Sequence, residues 1–148
     1  MQARMQHPES IFPGAARAIA DVKAAVDRSR LSRKMRNLAQ LRVSQINGSS
    51  SCLHAAGNQA RKAGETDVRM IALNAWRESP YYTDAERAAL ALTEAVTRLE
   101  GPAPVPEDVW RDASEHFDEQ SLAALLLTIA ITNATNRFSV ATRHVAGT

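Results

Sequence analysis

The chain has one cysteine, Cys52, so a single residue must carry any thiol chemistry it performs. One thiol excludes an intrachain disulfide and every metal site that needs two or more cysteines. It does not exclude nucleophilic chemistry. A reactive thiolate can be oxidised to a sulfenic acid, which an external thiol, or the Cys52 of another subunit, must then reduce. Cys52 follows Ser49, Ser50 and Ser51, three candidates to cap a helix beginning at this point. In the first turn of that helix the thiol faces unpaired N–H groups and the positive end of the helix dipole, which favour the thiolate. The competing reading makes Cys52 a small buried hydrophobe that fills a helix junction. Residue type and position leave both open.

Other residues able to do chemistry give weaker signals. His54 lies two positions from Cys52, about 200° around a helix, and so reads as a solvated surface residue rather than a base for the thiol. His7, His116 and His144 are scattered, with no carboxylate at ligand spacing, so neither a metal nor a cofactor is implied. On this reading nothing near Cys52 can relay a proton. The serine run has no Gly-x-Ser-x-Gly elbow and no paired His and Asp, which favours capping over nucleophilic catalysis. Trp76, Tyr81, Tyr82, Trp110 and Phe117 could line a pocket near Pro80, but ordinary packing accounts for them better. Arg137 is expected to pair with a carboxylate, Glu86 or Glu94.

The elements that must position Cys52 are helical. Alanine occupies 27 of 148 positions, against six glycines and six prolines, a composition that favours helix over strand. Apolar residues recur at three- and four-residue steps from Ala15 to Arg28. Ser32 can cap a second helix carrying Met35, Leu38, Leu41 and Ile46, which Gly48 would stop in a left-handed conformation. The third helix carries Cys52 and ends near Gly64. Thr66 caps a fourth through Trp76, and Thr83 with Glu86 forms a capping box for a fifth that Gly101 and Pro102 end. Pro106 fits the first turn of a short sixth helix reaching Phe117, and Asp118 caps a long last one. Its run from Leu122 to Ile131 is apolar nearly all round, the pattern of a helix buried between layers or at a subunit contact. The expected fold is therefore an all-α bundle of about six or seven helices forming a single domain over residues 1–148.

Composition limits the function classes. A formal charge of +2, from 18 basic and 16 acidic residues without a basic block, implies no nucleic acid. The apolar run is far shorter than the ~20 residues needed to cross a bilayer, so no membrane partner is expected. No leader is evident before Glu9, and a cytoplasmic location is the default expectation.

The stretch from Ser44 to Cys52, with Ile46-Asn47-Gly48 at a helix end and cysteine in the next helix, resembles the alkylhydroperoxidase D-like, or carboxymuconolactone decarboxylase, family. The similarity continues through Ala60 to Glu65, Trp76 to Thr83, Glu86 to Ala91 and Asn133 to Arg137, and covers roughly residues 15 to 144. The resemblance implies a thiol peroxidase of antioxidant type, with a hydroperoxide substrate, an external thiol reductant and a dimer-based homo-oligomer, including trimers and hexamers. Its catalytic pattern falls on Asn37 where the family has Glu, Ser49 where it has the first Cys, Ser51 where it has His or similar, Cys52 as the retained second Cys, and Ala56 where it has the final His. Four of the five positions depart. The resemblance thus implies either weak one-Cys peroxide chemistry at Cys52 or a non-catalytic helical oligomer that binds or scaffolds. A lactone decarboxylase would still need a positioned acid or base, and Asn37 and Ala56 replace the two obvious ones.

Overall fold

A computed structural model describes residues 2–147. Among them, all regular structure is helical: α1 (Pro8–Ile11), α2 (Ala15–Asp27), α3 (Arg33–Asn47), α4 (Ser50–Lys62), α5 (Asp67–Ala72) continued by a 3-10 turn (Leu73–Ala75), α6 (Asp84–Arg98), α7 (Glu107–His116) and α8 (Glu119–Thr142). This is the expected all-α architecture, with one addition. The four-residue α1 is too short for periodicity to reveal. Pro106 stands just ahead of α7 with extended backbone rather than inside its first turn.

Side-chain caps set four of the starts. Ser32 Oγ accepts from the N–H of Met35, Thr66 Oγ1 from Arg69 and Asp118 Oδ1 from Ser121. Thr83 and Glu86 exchange the two bonds of a capping box at 3.2 and 2.9 Å. Each such cap is worth roughly 0.5–2 kcal/mol. Gly48, at φ 64°, supplies the left-handed stop that lets α4 begin with only two residues between it and the end of α3. Ser49 corrects the capping expectation. It holds the N-cap position of α4, but its Oγ makes no cap bond and is buried without a partner. The four residues that do cap have ψ of 146°, 149°, 164° and 167°, whereas Ser49 has ψ 98°. Its own N–H is already tied back to Ser44 O at 3.1 Å, so the closure of α3 fixes its orientation.

Helix α3 divides the core. Ala39 and Val43 join Val26, Ala89, Leu92, Leu125 and Ile129 on one side. Leu38 and Leu41 pack with Ala60, Leu73, Trp76 and Leu90 on the other. Burying each large aliphatic side chain contributes about 1.5–3 kcal/mol, which ties α4 and α6 to the two faces of α3. Helix α8 packs against α2, α3, α4, α6 and α7. Leu122, Leu125 and Ile129 are buried, while Leu127 is 45% exposed, so within one chain the apolar helix is covered on one side only. No described helix is long and apolar enough to cross a membrane.

Candidate functional site

The α3–α4 junction is fastened to α8 by a ladder of amides. Asn47 Nδ2 donates to Asn133 Oδ1 at 2.9 Å and to Asn136 Oδ1 at 3.2 Å, while Asn136 Nδ2 donates to Ser44 Oγ. Asn133 Nδ2 donates in turn to Thr97 Oγ1 of α6 and to Ile129 O. Buried amides held this way fix the register of α8 against the junction. They also set Ser139, one turn beyond Asn136, opposite the first turn of α4.

There the thiol of Cys52, half-buried, donates to Ser139 Oγ at 3.4 Å. Ser139 Oγ lies 3.5 Å from His7 Nε2, a long contact, and His7 Nδ1 lies 3.4 Å from Glu9 Oε1 without closing into a hydrogen bond. The N-terminal segment is held in place by its backbone. Arg4 N–H donates to Thr142 O at 2.8 Å, and its guanidinium to Ala141 O. Phe138 and His144 meet the His7 ring edge-on, with centroids 5.8 and 5.6 Å away. The neutral tautomer of His7 that carries its proton on Nδ1 presents a free Nε2 lone pair to Ser139.

This arrangement corrects two expectations. The histidines are not all scattered, because His7 and His144 meet beside Cys52 although they are far apart in the chain. A proton acceptor does lie within one hydroxyl of the thiol. Spacing around Cys52 could not show it, since it arrives from a segment before the first long helix and acts through a serine of the last. The pair His7 and Glu9 around Pro8 is the only sequence signal, and it acquires meaning once α8 lies alongside.

Cys52 opens onto a cavity of about 460 Å³ that Ser51, Ala56, His7 and Ser139 also line. The structure therefore gathers Ser51, Cys52 and Ala56 at one site. Asn37 faces an adjoining cavity, and Ser49 lines neither. Ala56 presents no polar atom where the family pattern has histidine. His54 is exposed, with Nε2 3.2 Å from Asn58 Nδ2 on its own helix. Among the described residues, no three His, Cys, Asp or Glu side chains converge in a way that could hold a metal.

The polar centres around Glu94 and Glu86 lie elsewhere and are satisfied. Glu94, its side chain 3% exposed, accepts from Trp76 Nε1, from two nitrogens of Arg42, and from Arg77 and Arg98. Although burial disfavours the charge, these donors hold its carboxyl down to about 2. Glu86 is likewise lowered, by Arg69 and the Thr83 N–H, against the opposing effect of burial. Arg69 also binds Glu65. With both carboxylates taken, Arg137 does not reach either one. It donates instead to Asn133 Oδ1 at 2.7 Å, one turn back on α8, and so buttresses the amide ladder. Trp76 and Tyr82 are buried in the core, and none of the five aromatic candidates lines the Cys52 cavity.

Comparison with known proteins agrees with this architecture. The pattern of the carboxymuconolactone decarboxylase family matches residues 13–95. The uncharacterized protein YdfG of Bacillus subtilis (strain 168) is 36% identical over 141 residues, covering 95% of each chain. A protein of unknown function from Agrobacterium tumefaciens, proposed to be the antioxidant defence protein AhpD, superposes with a TM-score of 0.91 at 28% identity over 99% of both chains. The debrominase Bmp8 shares the fold, with a TM-score of 0.80 at 21% identity over 90% of this chain and 72% of its own. A match over more than half the sequence, a relative covering nearly the full length and a shared all-α fold lead to one conclusion: the chain belongs to the carboxymuconolactone decarboxylase family and has the alkylhydroperoxidase D-like fold.

Proposed function

We propose that the protein reduces hydroperoxides by one-Cys chemistry at Cys52, with an external thiol as reductant. The observation that carries this reading is the contact chain from Cys52 Sγ through Ser139 Oγ to His7 Nε2. The thiol proton passes to Ser139 as the serine proton passes to His7. The sulfur then attacks the terminal peroxide oxygen, the S–O bond forms as the O–O bond breaks, and the departing alkoxide takes a proton back from His7. Sulfur is oxidised by two electrons to the sulfenic acid and the peroxide is reduced to an alcohol. One external thiol displaces water to give a mixed disulfide, and a second releases Cys52 as its own disulfide forms. Contacts of 3.4 and 3.5 Å are loose for proton transfer, but such bonds tighten when substrate excludes water.

The antioxidant role proposed for the Agrobacterium protein supports this reading. The exposed Leu127 face of α8 supports assembly into a homo-oligomer. The test is thiol-dependent consumption of cumene hydroperoxide by wild type and by Cys52→Ser. Turnover is expected in the first and none in the second. Turnover that survives Cys52→Ser overturns the reading, and absence of turnover in both favours a non-catalytic scaffold.

A further inference from the structure

A second cavity, of about 580 Å³, opens between α2, α3, α4 and α8 and shares Lys23, Gln40, Gln59 and Thr132 with the thiol cavity. The thiol chemistry makes no use of it. Its volume falls in the ~300–1,000 Å³ range of small-molecule sites, and its lining has two characters. Leu127 and Ile131 of α8 give an apolar wall, with Leu127 exposed to solvent. Lys23, Arg33 and Lys62 contribute three positive charges that have no ion-pair partner among the described residues. Asp27, the one acid of the lining, is taken by Arg36 at 3.0 Å. At the side of the cavity sits Asn37, only 5% exposed, whose Nδ2 has no acceptor. Buried donors are almost always satisfied, and this one faces a space walled by unpaired cations and hydrocarbon.

We propose that this cavity binds a small apolar carboxylate. One carboxylate oxygen accepts from Asn37 Nδ2, the lysine charges neutralise the anion, and the hydrocarbon body lies on Leu127 and Ile131. An inorganic oxyanion would leave the apolar wall wet, and a neutral lipid would leave both the cations and the amide unpaired. The inference is independent of peroxide reduction, so its test uses protein carrying Cys52→Ser.

Isothermal titration with sodium octanoate is compared with 1-octanol and inorganic phosphate, with light scattering to follow assembly. Saturable octanoate binding is expected, at least tenfold tighter than either comparison ligand. Asn37→Leu should weaken octanoate at least tenfold while raising the melting temperature of the ligand-free protein, because an unsatisfied buried donor is replaced by hydrocarbon. If that variant fails to fold, Lys23→Gln, at an exposed position, should weaken octanoate several-fold without changing the melting temperature. Phosphate or octanol binding as tightly as octanoate overturns the proposal. So does an assembly of the Cys52→Ser protein that excludes octanoate, or octanoate affinity unchanged when Asn37→Leu or Lys23→Gln is added and the variant folds.

Discussion

The surroundings of Glu94 and those of Cys52 are both polar and both partly or wholly enclosed, yet they are built to opposite rules. Around Glu94 four side chains donate to one carboxylate, with every N···O distance between 2.7 and 3.1 Å. Around Cys52 the contacts are 3.4 and 3.5 Å long, and three of the four buried polar side-chain atoms without a partner among the described residues, His7 Nδ1, Ser49 Oγ and Asn37 Nδ2, lie in that half of the molecule. A fully satisfied network rigidifies a fold. The network beside the thiol and the two cavities is left loose, and its polar groups keep unused hydrogen-bonding capacity.

The largest effect falls on the thiol. Cys52→Ser should abolish thiol-dependent peroxide consumption while leaving the circular dichroism spectrum unchanged. Next comes the satisfied centre. Glu94→Ala leaves Arg42 buried without its partner and should cost about 3–5 kcal/mol in urea unfolding. The same centre gives a pH signature. The folded carboxyl is held at about 2, below its ordinary 4.5, so its stabilisation is full above about 4.5 and is lost as pH falls toward 2. Wild type should therefore lose stability over that interval more steeply than Glu94→Gln, measured by thermal melts from pH 5 to pH 2.

The relay effects are smaller and sharpen the contrast. His7→Asn removes the proton acceptor and should slow peroxide consumption about 10²-fold, the low end of general acid–base contributions, with little change in melting temperature. Ser139→Ala should slow it by less, roughly tenfold, because a water can occupy the place of the hydroxyl. Equal losses of stability and rate in these two variants would make the N-terminal segment a structural strap.

Local chemistry made most of the fold legible. The capping residues Ser32, Thr66, Thr83 and Asp118, and the stop at Gly48, each act within a few residues, and each stands where its sequence signal placed it. The site was half legible. Cys52 and the departures at Asn37, Ser51 and Ala56 follow from position in a pattern, and the structure adds which cavity each one faces. His7 was not legible as part of the site, because it reaches Cys52 only through Ser139, 132 positions away and placed by amides that pair across three helices. The partner of Arg137 was missed for a related reason. Which carboxylates are already taken, Glu86 by Arg69 and Glu94 by Arg42, is a property of packing and not of spacing.

The central claim, that Cys52 is a reactive thiol served by His7, is tested most directly by the rate at which its sulfenic acid forms. Intact-mass spectrometry with dimedone trapping, after millisecond mixing with cumene hydroperoxide from pH 5 to pH 9, reads that rate on Cys52 itself without any reductant. Fast single-site labelling is expected in wild type, slowed by about two orders of magnitude in His7→Asn. Identical rates in wild type and His7→Asn would contradict the claim.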